Sequence, residues 1–386
     1  MTEPTSPLRA LPGAAAGRPR VAEFFAGIGL ARLGLDAAGL DVAWANDFDP
    51  QKTLLYTHQH GGDHYVEQDI ATVGGDDLPD VELAWSSFPC TDLSLAGNRR
   101  GLNNGSQSST FWHFTRVLEE MGERRPPVVA LENVVGFATS HGGDDLAQAI
   151  TELNRLGYSV DVLALDARRF VPQSRPRIFL VAALAAPADT ADTGSELRPD
   201  WLQTPFGDPS LRTHRAALPA PPPPLTEGFG TLADRRGDWW DDDRTAAFVD
   251  SLSPLQAARL AQLQSARSIS YRTAYRRTRQ GRARWEVRAD DIAGCLRTAR
   301  GGSSKQAVVR TGRGRTRVRW MSAGEYARLM GAGDFDLTPA RDSQALFGFG
   351  DAVCVPVVSW LAEHYLLPLL RGELAGAAPL EAVGGR

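Results

Sequence analysis

The sequence predicts an α/β protein built on a doubly wound, mostly parallel sheet, with a second, smaller module in its second half. Three observations lead there. Short apolar runs alternate with helical stretches from residue 21 to about residue 185, the pattern of parallel strands joined by covering helices. The first run ends in a glycine-containing turn, Phe25-Ala26-Gly27-Ile28-Gly29, where such folds bring backbone close to a ligand. After Ala185 the alternation stops, a basic segment follows, and regular patterning resumes only at Ser322.

The apolar runs 21–25, 42–46, 83–87, 128–132, 160–165 and 178–183 are expected strands, and 30–38 and 110–121 expected helices. The polar, proline-containing step 168–177 reads as a loop before the last strand. Residues 186–250 hold the proline run 221–224, scattered acids and Trp239-Trp240, and read as a linker and the start of the second module. Helical spacing returns at 253–264, 323–330 and 355–370. The expected layout is a disordered lead at 1–19, a principal domain at 20–186, a recognition region at 187–320, a returning segment at 321–371 and a flexible tail at 372–386.

A chain of 386 residues accommodates one large domain and a smaller one. No apolar run approaches the roughly 20 residues of a membrane helix, and the Pro-, Ala- and Arg-rich start lacks the apolar stretch of a signal peptide. Cys90, Cys295 and Cys354 are too few and too scattered for a disulfide framework or a zinc site, which suits a reducing cytoplasm. The overall charge of −4 gives no hint of a polyanionic partner. Its distribution does: residues 267–319 carry 16 Lys and Arg against three acids. Tyr271, Tyr275, Trp285 and Trp320 are interleaved with this basic block, which favours a phosphate-binding surface over a solvated tail.

Two groups of residues carry chemistry. The glycine turn is followed, at the end of the next strand, by Asn46-Asp47, with Asp47 18 residues beyond Gly29. An acid at about that distance commonly takes ribose hydroxyls. Asp69 ends a third step and is placed to reach an adenine amino group, although a helix cap is the plainer role. The turn has neither GxGxxG nor a Lys-Ser/Thr pair, so a ligand without pyrophosphate is expected. The second group begins with the buried run 83–88 leading into Pro89-Cys90. An isolated cysteine is more often inert core, but a polar, glycine-containing stretch follows this one, a loop expected to move. Glu132-Asn133-Val134 ends the next strand, where an apolar surround would raise the carboxyl pKa and make it a proton donor. Gln173, Arg175 and Arg177 follow in Gln-Ser-Arg-Pro-Arg, forked donors for a carbonyl, a phosphate or a carboxylate.

The order Phe-Ala-Gly-Ile-Gly, Asn-Asp, Phe-Pro-Cys, Glu-Asn-Val and Gln-x-Arg-x-Arg, then Ser322 to Gly331 and Gly348-Phe349-Gly350-Asp351-Ala352-Val353, resembles the DNA cytosine-5 methyltransferase family of the prokaryotic, restriction-modification or defence type. The resemblance covers about 21–185 and 322–370. It implies a Rossmann-like, S-adenosylmethionine-dependent fold with a smaller target-recognition domain. It implies that Cys90 attacks C6 of a flipped-out cytosine, that Glu132 protonates N3, that Arg177 contacts O2 with Arg175 in support, and that Asn133 shapes the pocket. Gln173 belongs to the same pocket by its motif. The cofactor would rest on Phe25, Ala26, Gly27, Ile28, Gly29, Asp47, Asp69, Ile70 and Pro89, with Asp351, Ala352 and Val353 returning beside its methionine end.

Ser94 matches a phosphate-contacting position of the family, in a loop that would close over DNA, and Arg99 and Arg100 add charge there. The implied partner is double-stranded DNA, bound by a monomer with no membrane contact, and any restriction or defence protein would be a separate chain. Recognition falls to the region up to Arg319, with Arg272, Arg276, Arg277 and Arg279 expected on phosphates and Arg297 and Arg300 near the end of the variable part. Departures are few: Asp351 stands for a common Asn, Asp47 for a Glu, Thr91 for a Gln and Leu30 for a Gly. A tRNA cytosine-5 methyltransferase is the rival enzyme, disfavoured by the long variable region. A DNA-binding regulator without catalysis is disfavoured by the intact Cys90, Glu132, Arg175 and Arg177.

Overall fold

The computed structural model describes residues 17–89, 109–191, 193–279, 281–298 and 305–374, without the side chains of Ser109, Arg279 and Arg282. Seven strands form the large sheet: β1 (Arg20–Phe24), β2 (Asp41–Asp47), β3 (Tyr65–Glu67), β4 (Leu83–Ser86), β5 (Val128–Val134), β6 (Ser159–Asp166) and β7 (Pro176–Ala183). Their order is β3-β2-β1-β4-β5-β7-β6. The first five are parallel to one another, and β7 runs antiparallel between β5 and β6. The strands are apolar nearly throughout because both faces are covered. One face packs α3 (Ser109–Glu120) and α4 (Asp144–Arg155) through Phe111, Phe114, Val117, Leu146, Ile150 and Leu153. The other packs α1 (Leu30–Ala37), α2 (Pro50–His60) and the late helices.

All six expected strands form. Short β3 escaped the sequence because three residues carry no periodicity. It is held by Asn46, whose buried amide donates to Val66 and Gln68 carbonyls at 2.9 and 2.8 Å.

The returning segment docks on α1. A Cβ at Gly34 would lie 2.6 Å from the Cβ of Val358, and Ser359 Oγ donates to the Gly34 carbonyl at 3.2 Å. The expected helix 355–370 is interrupted: Val355–Leu361 passes through a wider π turn, Ala362–Leu366, into Leu367–Leu370. Pro368 has no N–H to offer the preceding turn, which accounts for the break. The late stretch Asp342–Leu370, broken between Asp351 and Val355, is apolar, and 67% of its most apolar window is buried in the core.

The expected linker is a second correction. Residues 195–216 pack against β6 and add to the principal core. Ala164 N–H donates to Leu197 O at 2.8 Å and Val160 N–H to Arg212 O at 3.1 Å. Arg198, fully buried, grips Asp161 with two bonds of 2.9 and 2.6 Å. Asp161 also accepts from Tyr365 Oη at 2.9 Å and Ala216 N–H at 3.1 Å.

Four further strands, β8 (Ser270–Arg279), β9 (Arg282–Val287), β10 (Ala307–Gly312) and β11 (Arg315–Trp320), make an antiparallel sheet in the order β11-β10-β8-β9. The helices Asp242–Asp250 and Pro254–Ser265 and the connection between them cover it through Phe248, Leu260 and Leu252. β10 and β11 join through Arg313-Gly314, both at positive φ, the geometry a two-residue hairpin favours.

Candidate active site

The motifs within the described residues converge on one edge of the large sheet. β1, β2, β4 and β5 end there, and antiparallel β7 begins there, with Arg177 opposite Val134 in register. The strand order turns at β1, which lies between β2 and β4. A crevice outside the carboxyl ends of strands at such a point is where open α/β sheets bind ligands.

The glycine turn lies at this crevice. Phe25, Gly27 and Gly29 take φ of 57°, 59° and 83°. Phe25 does so with a bulky side chain, a strained choice offset by neighbouring bonds: Ala26 N–H to Asn46 O at 2.8 Å and Gly27 N–H to Asp47 Oδ2 at 2.9 Å. Gly29 has no room for a side chain, since a Cβ would lie 2.4 Å from His60 Nε2. A Cβ at Gly27 would meet nothing nearer than 4.0 Å, so the space above that residue is open. Ala26 and Ile28 are buried beneath.

Asp47 is fixed by three backbone donors. Besides Gly27, Phe48 and Asp49 N–H groups donate to its Oδ1 at 2.8 and 3.1 Å, and Oδ2 retains a lone pair for a hydroxyl. Asp69 fills one of its two expected roles. It caps the short turn Ile70–Thr72 by accepting from Ala71 N–H at 2.9 Å, and Ile70 is buried.

Glu132 is buried near the end of β5, and Arg177 Nε sits 2.8 Å from its Oε1. Burial raises its pKa above the ordinary carboxyl range, against the pull of Arg177 and Arg175. Buried Asn133 donates from Nδ2 to Phe88 O at 3.4 Å, tying the end of β5 to the segment that carries Pro89, which is half-buried. Cys90, Ser94, Arg99, Arg100 and Arg300 lie outside the described residues.

Arg175 and Gln173 are brought to the same edge but face inward. Arg175 donates to Leu296 O at 2.8 Å, Gly350 O at 3.1 Å and Ala352 O at 2.6 Å. Gln173 donates to Leu329 O at 2.8 Å and accepts from Leu296 N–H at 3.0 Å. Both lace the β6–β7 loop to segments far along the chain. Asp351, Ala352 and buried Val353 are held at the cleft by this lacing.

Of the four arginines expected on phosphates, the three whose side chains are described do not share one face. Strand alternation puts Arg272 and Arg276 on one face of β8 and Arg277 on the other. Arg272 approaches Asp291 at 3.6 Å, Arg276 lies over the Trp285 ring, and Arg277, 47% exposed, approaches Glu286 at 3.6 Å. The side chain of Arg279 lies outside the described residues, and Arg297 is exposed. Arg319, counted in the basic block, is buried against Glu325 at 2.6 Å. That carboxylate also completes the capping box with Ser322 at the start of Ala323–Leu329.

Three residues at the site were not singled out as site residues by the sequence. Phe48 follows Asp47 and is 63% exposed, an aromatic ring displayed beside the crevice. Its signal was present: a large apolar residue directly after a strand-end acid. Lys52, in the first turn of α2, pairs with Asp351 at 3.1 Å. Cys295 lies 3.4 Å from Arg175 Nη1. Burial alone would raise its thiol pKa, but Arg175, Arg177 and Arg297 outweigh burial and hold it below the ordinary value.

The edge therefore offers open backbone at Gly27, a fixed acid at Asp47 and an exposed ring at Phe48. That set fits a nucleoside without phosphates.

Residues 19–366 match the model of the C-5 cytosine-specific DNA methylase family. Type II methyltransferase M.NlaX of Neisseria lactamica is 27% identical over 348 residues, 89% of this chain and 95% of that protein. M.HhaI of Haemophilus parahaemolyticus is 31% identical over 163 residues, 42% of this chain and 48% of that protein. M.Bsp6I of Bacillus sp. (strain RFL6) is 30% identical over 165 residues, 42% of this chain and 51% of that protein. The chain thus spans about half the length of these last two relatives. The S. pombe Dnmt2 methyltransferase structure aligns with a TM-score of 0.54 at 18% identity, covering 91% of this chain and 98% of that one. The Entamoeba histolytica methyltransferase EhMeth aligns with 0.57 at 14%, covering 92% and 98%. At such identities the likeness speaks for a shared fold, here a Rossmann-like methyltransferase fold. With the family match running nearly from end to end of the sheet and the returning helices, the chain belongs to the C-5 cytosine-specific DNA methylase family.

Proposed function

We propose that the protein methylates C5 of cytosine in double-stranded DNA, through a covalent bond between Cys90 and C6 of a flipped-out base. The observation that supports this most is Glu132: a buried carboxyl of raised pKa, paired at 2.8 Å with Arg177, beside the strand that runs into Pro89-Cys90. When bound, S-adenosylmethionine supplies an electrophilic methyl group. Phe25, Gly27, Asp47 and Phe48 would hold its nucleoside part, the backbone of Gly27 allowing close approach and Phe48 offering a face for the purine.

The protein's own groups handle the rest. The Cys90 thiolate forms a bond to C6, and the displaced ring electrons move toward N3. Glu132, kept protonatable by burial, supplies the proton there. Arg177, already paired with Glu132, would donate to O2. Once C5 carries the methyl group, loss of its proton to solvent re-forms the C5–C6 double bond and expels the thiolate from C6, and N3 returns its proton to Glu132, so the enzyme ends as it began. Asn133 keeps the ends of β4 and β5 together through the Phe88 carbonyl. Arg175 is a positioning residue, since its three carbonyl partners all belong to protein backbone.

DNA would lie along the exposed cations of the second sheet and Arg297. A monomer working in the cytoplasm, with any restriction or defence protein as a separate chain, is the simplest setting. Bisulfite sequencing of DNA from a host expressing the protein tests the activity and reports its target. New, sequence-specific 5-methylcytosine is expected, lost in Cys90→Ser. Radiolabel transferred to tRNA and not to DNA would sink the DNA assignment.

A further inference from the structure

Lys52 and Asp351 are each at the wrong end of a helix. Lys52 lies in the first turn of α2, where a cation opposes the helix dipole, and Asp351 ends the helix Asp342–Asp351, where an anion does. Neither residue is placed to stabilise its own helix. What they share is the cleft. Lys52 Nζ reaches Asp351 Oδ2 at 3.1 Å, with 17% of the lysine side chain and 41% of the aspartate exposed. The helix carrying Asp351 lies directly on the glycine turn, since a Cβ at Gly348 would be 2.6 Å from Ile28 Cγ2. Burial would discharge Lys52, but Asp47, Asp351 and Asp49 outweigh it and keep the ammonium charged. Of those three acids, Asp47 is engaged by three backbone N–H groups and Asp49 caps α2.

We propose that Lys52 and Asp351 form a zwitterion clamp, the Lys52 ammonium taking the α-carboxylate and the Asp351 carboxylate the α-ammonium of the cofactor's amino-acid tail. The proposal rests on the S-adenosylmethionine reading above. Opposite charges 3.1 Å apart are the complement of an amino-acid zwitterion, whose own charges are separated by a similar short span. The clamp also explains how an acid is tolerated at position 351. An aspartate alone beside a ligand carboxylate would repel it, and Lys52 supplies the compensating charge. A simple staple between α2 and the late helix would use the same contact but would not discriminate between ligands.

The test is calorimetric binding of two ligands to the full chain. S-Adenosylhomocysteine carries the zwitterion; 5′-methylthioadenosine shares the nucleoside and sulfur but lacks it. In Lys52→Met, affinity for S-adenosylhomocysteine should fall about 10-fold or more, the scale of one lost charged hydrogen bond. Affinity for methylthioadenosine should stay within about 2-fold, which also shows that the variant is folded with an intact nucleoside site. Asp351→Asn alone should likewise weaken S-adenosylhomocysteine several-fold and spare methylthioadenosine, because the α-ammonium loses its counter-charge. Equal loss of both ligands, or no loss of either, overturns the clamp. Lys52→Gln gives the same comparison should the methionine variant fold poorly. Wild-type protein that binds neither ligand would instead overturn the cofactor reading.

Discussion

Replacing Arg175 tests whether the motif Gln-x-Arg-x-Arg divides its labour as the structure indicates. The Arg175 guanidinium is buried and bonds three backbone carbonyls, those of Leu296, Gly350 and Ala352, at 2.6 to 3.1 Å. A hydrogen bond from a charged donor contributes about 1.5–3 kcal/mol, and each stranded buried carbonyl adds a penalty. Allowing for overlap among three bonds in one cluster, Arg175→Ala should lose about 4 kcal/mol or more. That is a large share of the roughly 5–15 kcal/mol a folded chain commands. Arg175→Lys keeps the charge but not the fork, so it should recover only part of the loss. Arg177→Ala is the control. Its side chain reaches Glu132 at the crevice, and once alone that carboxyl can take a proton rather than stay charged, so a loss of only about 1 kcal/mol is expected. Urea unfolding followed by tryptophan fluorescence measures all three. If Arg175→Ala unfolds within about 1 kcal/mol of wild type while Arg177→Ala falls much further, the positioning role assigned to Arg175 is wrong.

Other consequences follow from buried charge and from the second sheet. Glu23 is buried in β1 and its pKa is pushed up to about 8, chiefly by desolvation. Its folded pKa exceeds its unfolded one, so its contribution to stability is full below about pH 4.5 and is lost as pH rises toward 8. Glu23→Gln should therefore gain on wild type by up to a few kcal/mol between pH 5 and pH 8, read as a growing difference in melting temperature. Asp161→Asn leaves Arg198 buried without its counter-charge and should cost about 3–5 kcal/mol in urea unfolding, more than an Asp161→Leu, Arg198→Met double replacement. On the second sheet, Arg277→Ala should lower the slope of DNA affinity against salt by about one counterion. Arg276→Ala, which uncovers Trp285, should chiefly reduce thermal stability.

The principal sheet was legible because its strands are buried on both faces. Runs such as Val128 to Leu131 have no polar alternation to confuse them. The second sheet was not, for the opposite reason. In β8, Tyr271, Thr273 and Tyr275 alternate with Arg272, Ala274 and Arg276, so the side packed on the small core itself carries arginines, one of them lying over Trp285. An apolar-versus-polar pattern cannot announce a strand whose inner face is partly cationic. The segment 195–216 misled in a similar way. Its polarity and prolines suggested a linker, but Arg198 is polar because it neutralises Asp161 inside the core. Charge read along the chain says nothing about which charges are paired across it.

The candidate site divides along the same line. Residues placed by their own strand ends were visible: the glycine turn after β1, Asp47 at the end of β2 and Glu132 near the end of β5. Residues whose meaning lies in distant partners were named without their roles or missed altogether. Arg175 looks like a substrate-facing arginine until its acceptors prove to be carbonyls more than 100 positions away. Asp351 looks like a weakened Asn until Lys52, 299 positions earlier, is found beside it. A departure from a family pattern is therefore poorly judged one position at a time. The Asp351 carboxylate is costly beside a ligand carboxylate and favourable beside an ammonium, and only the fold determines which of these it faces.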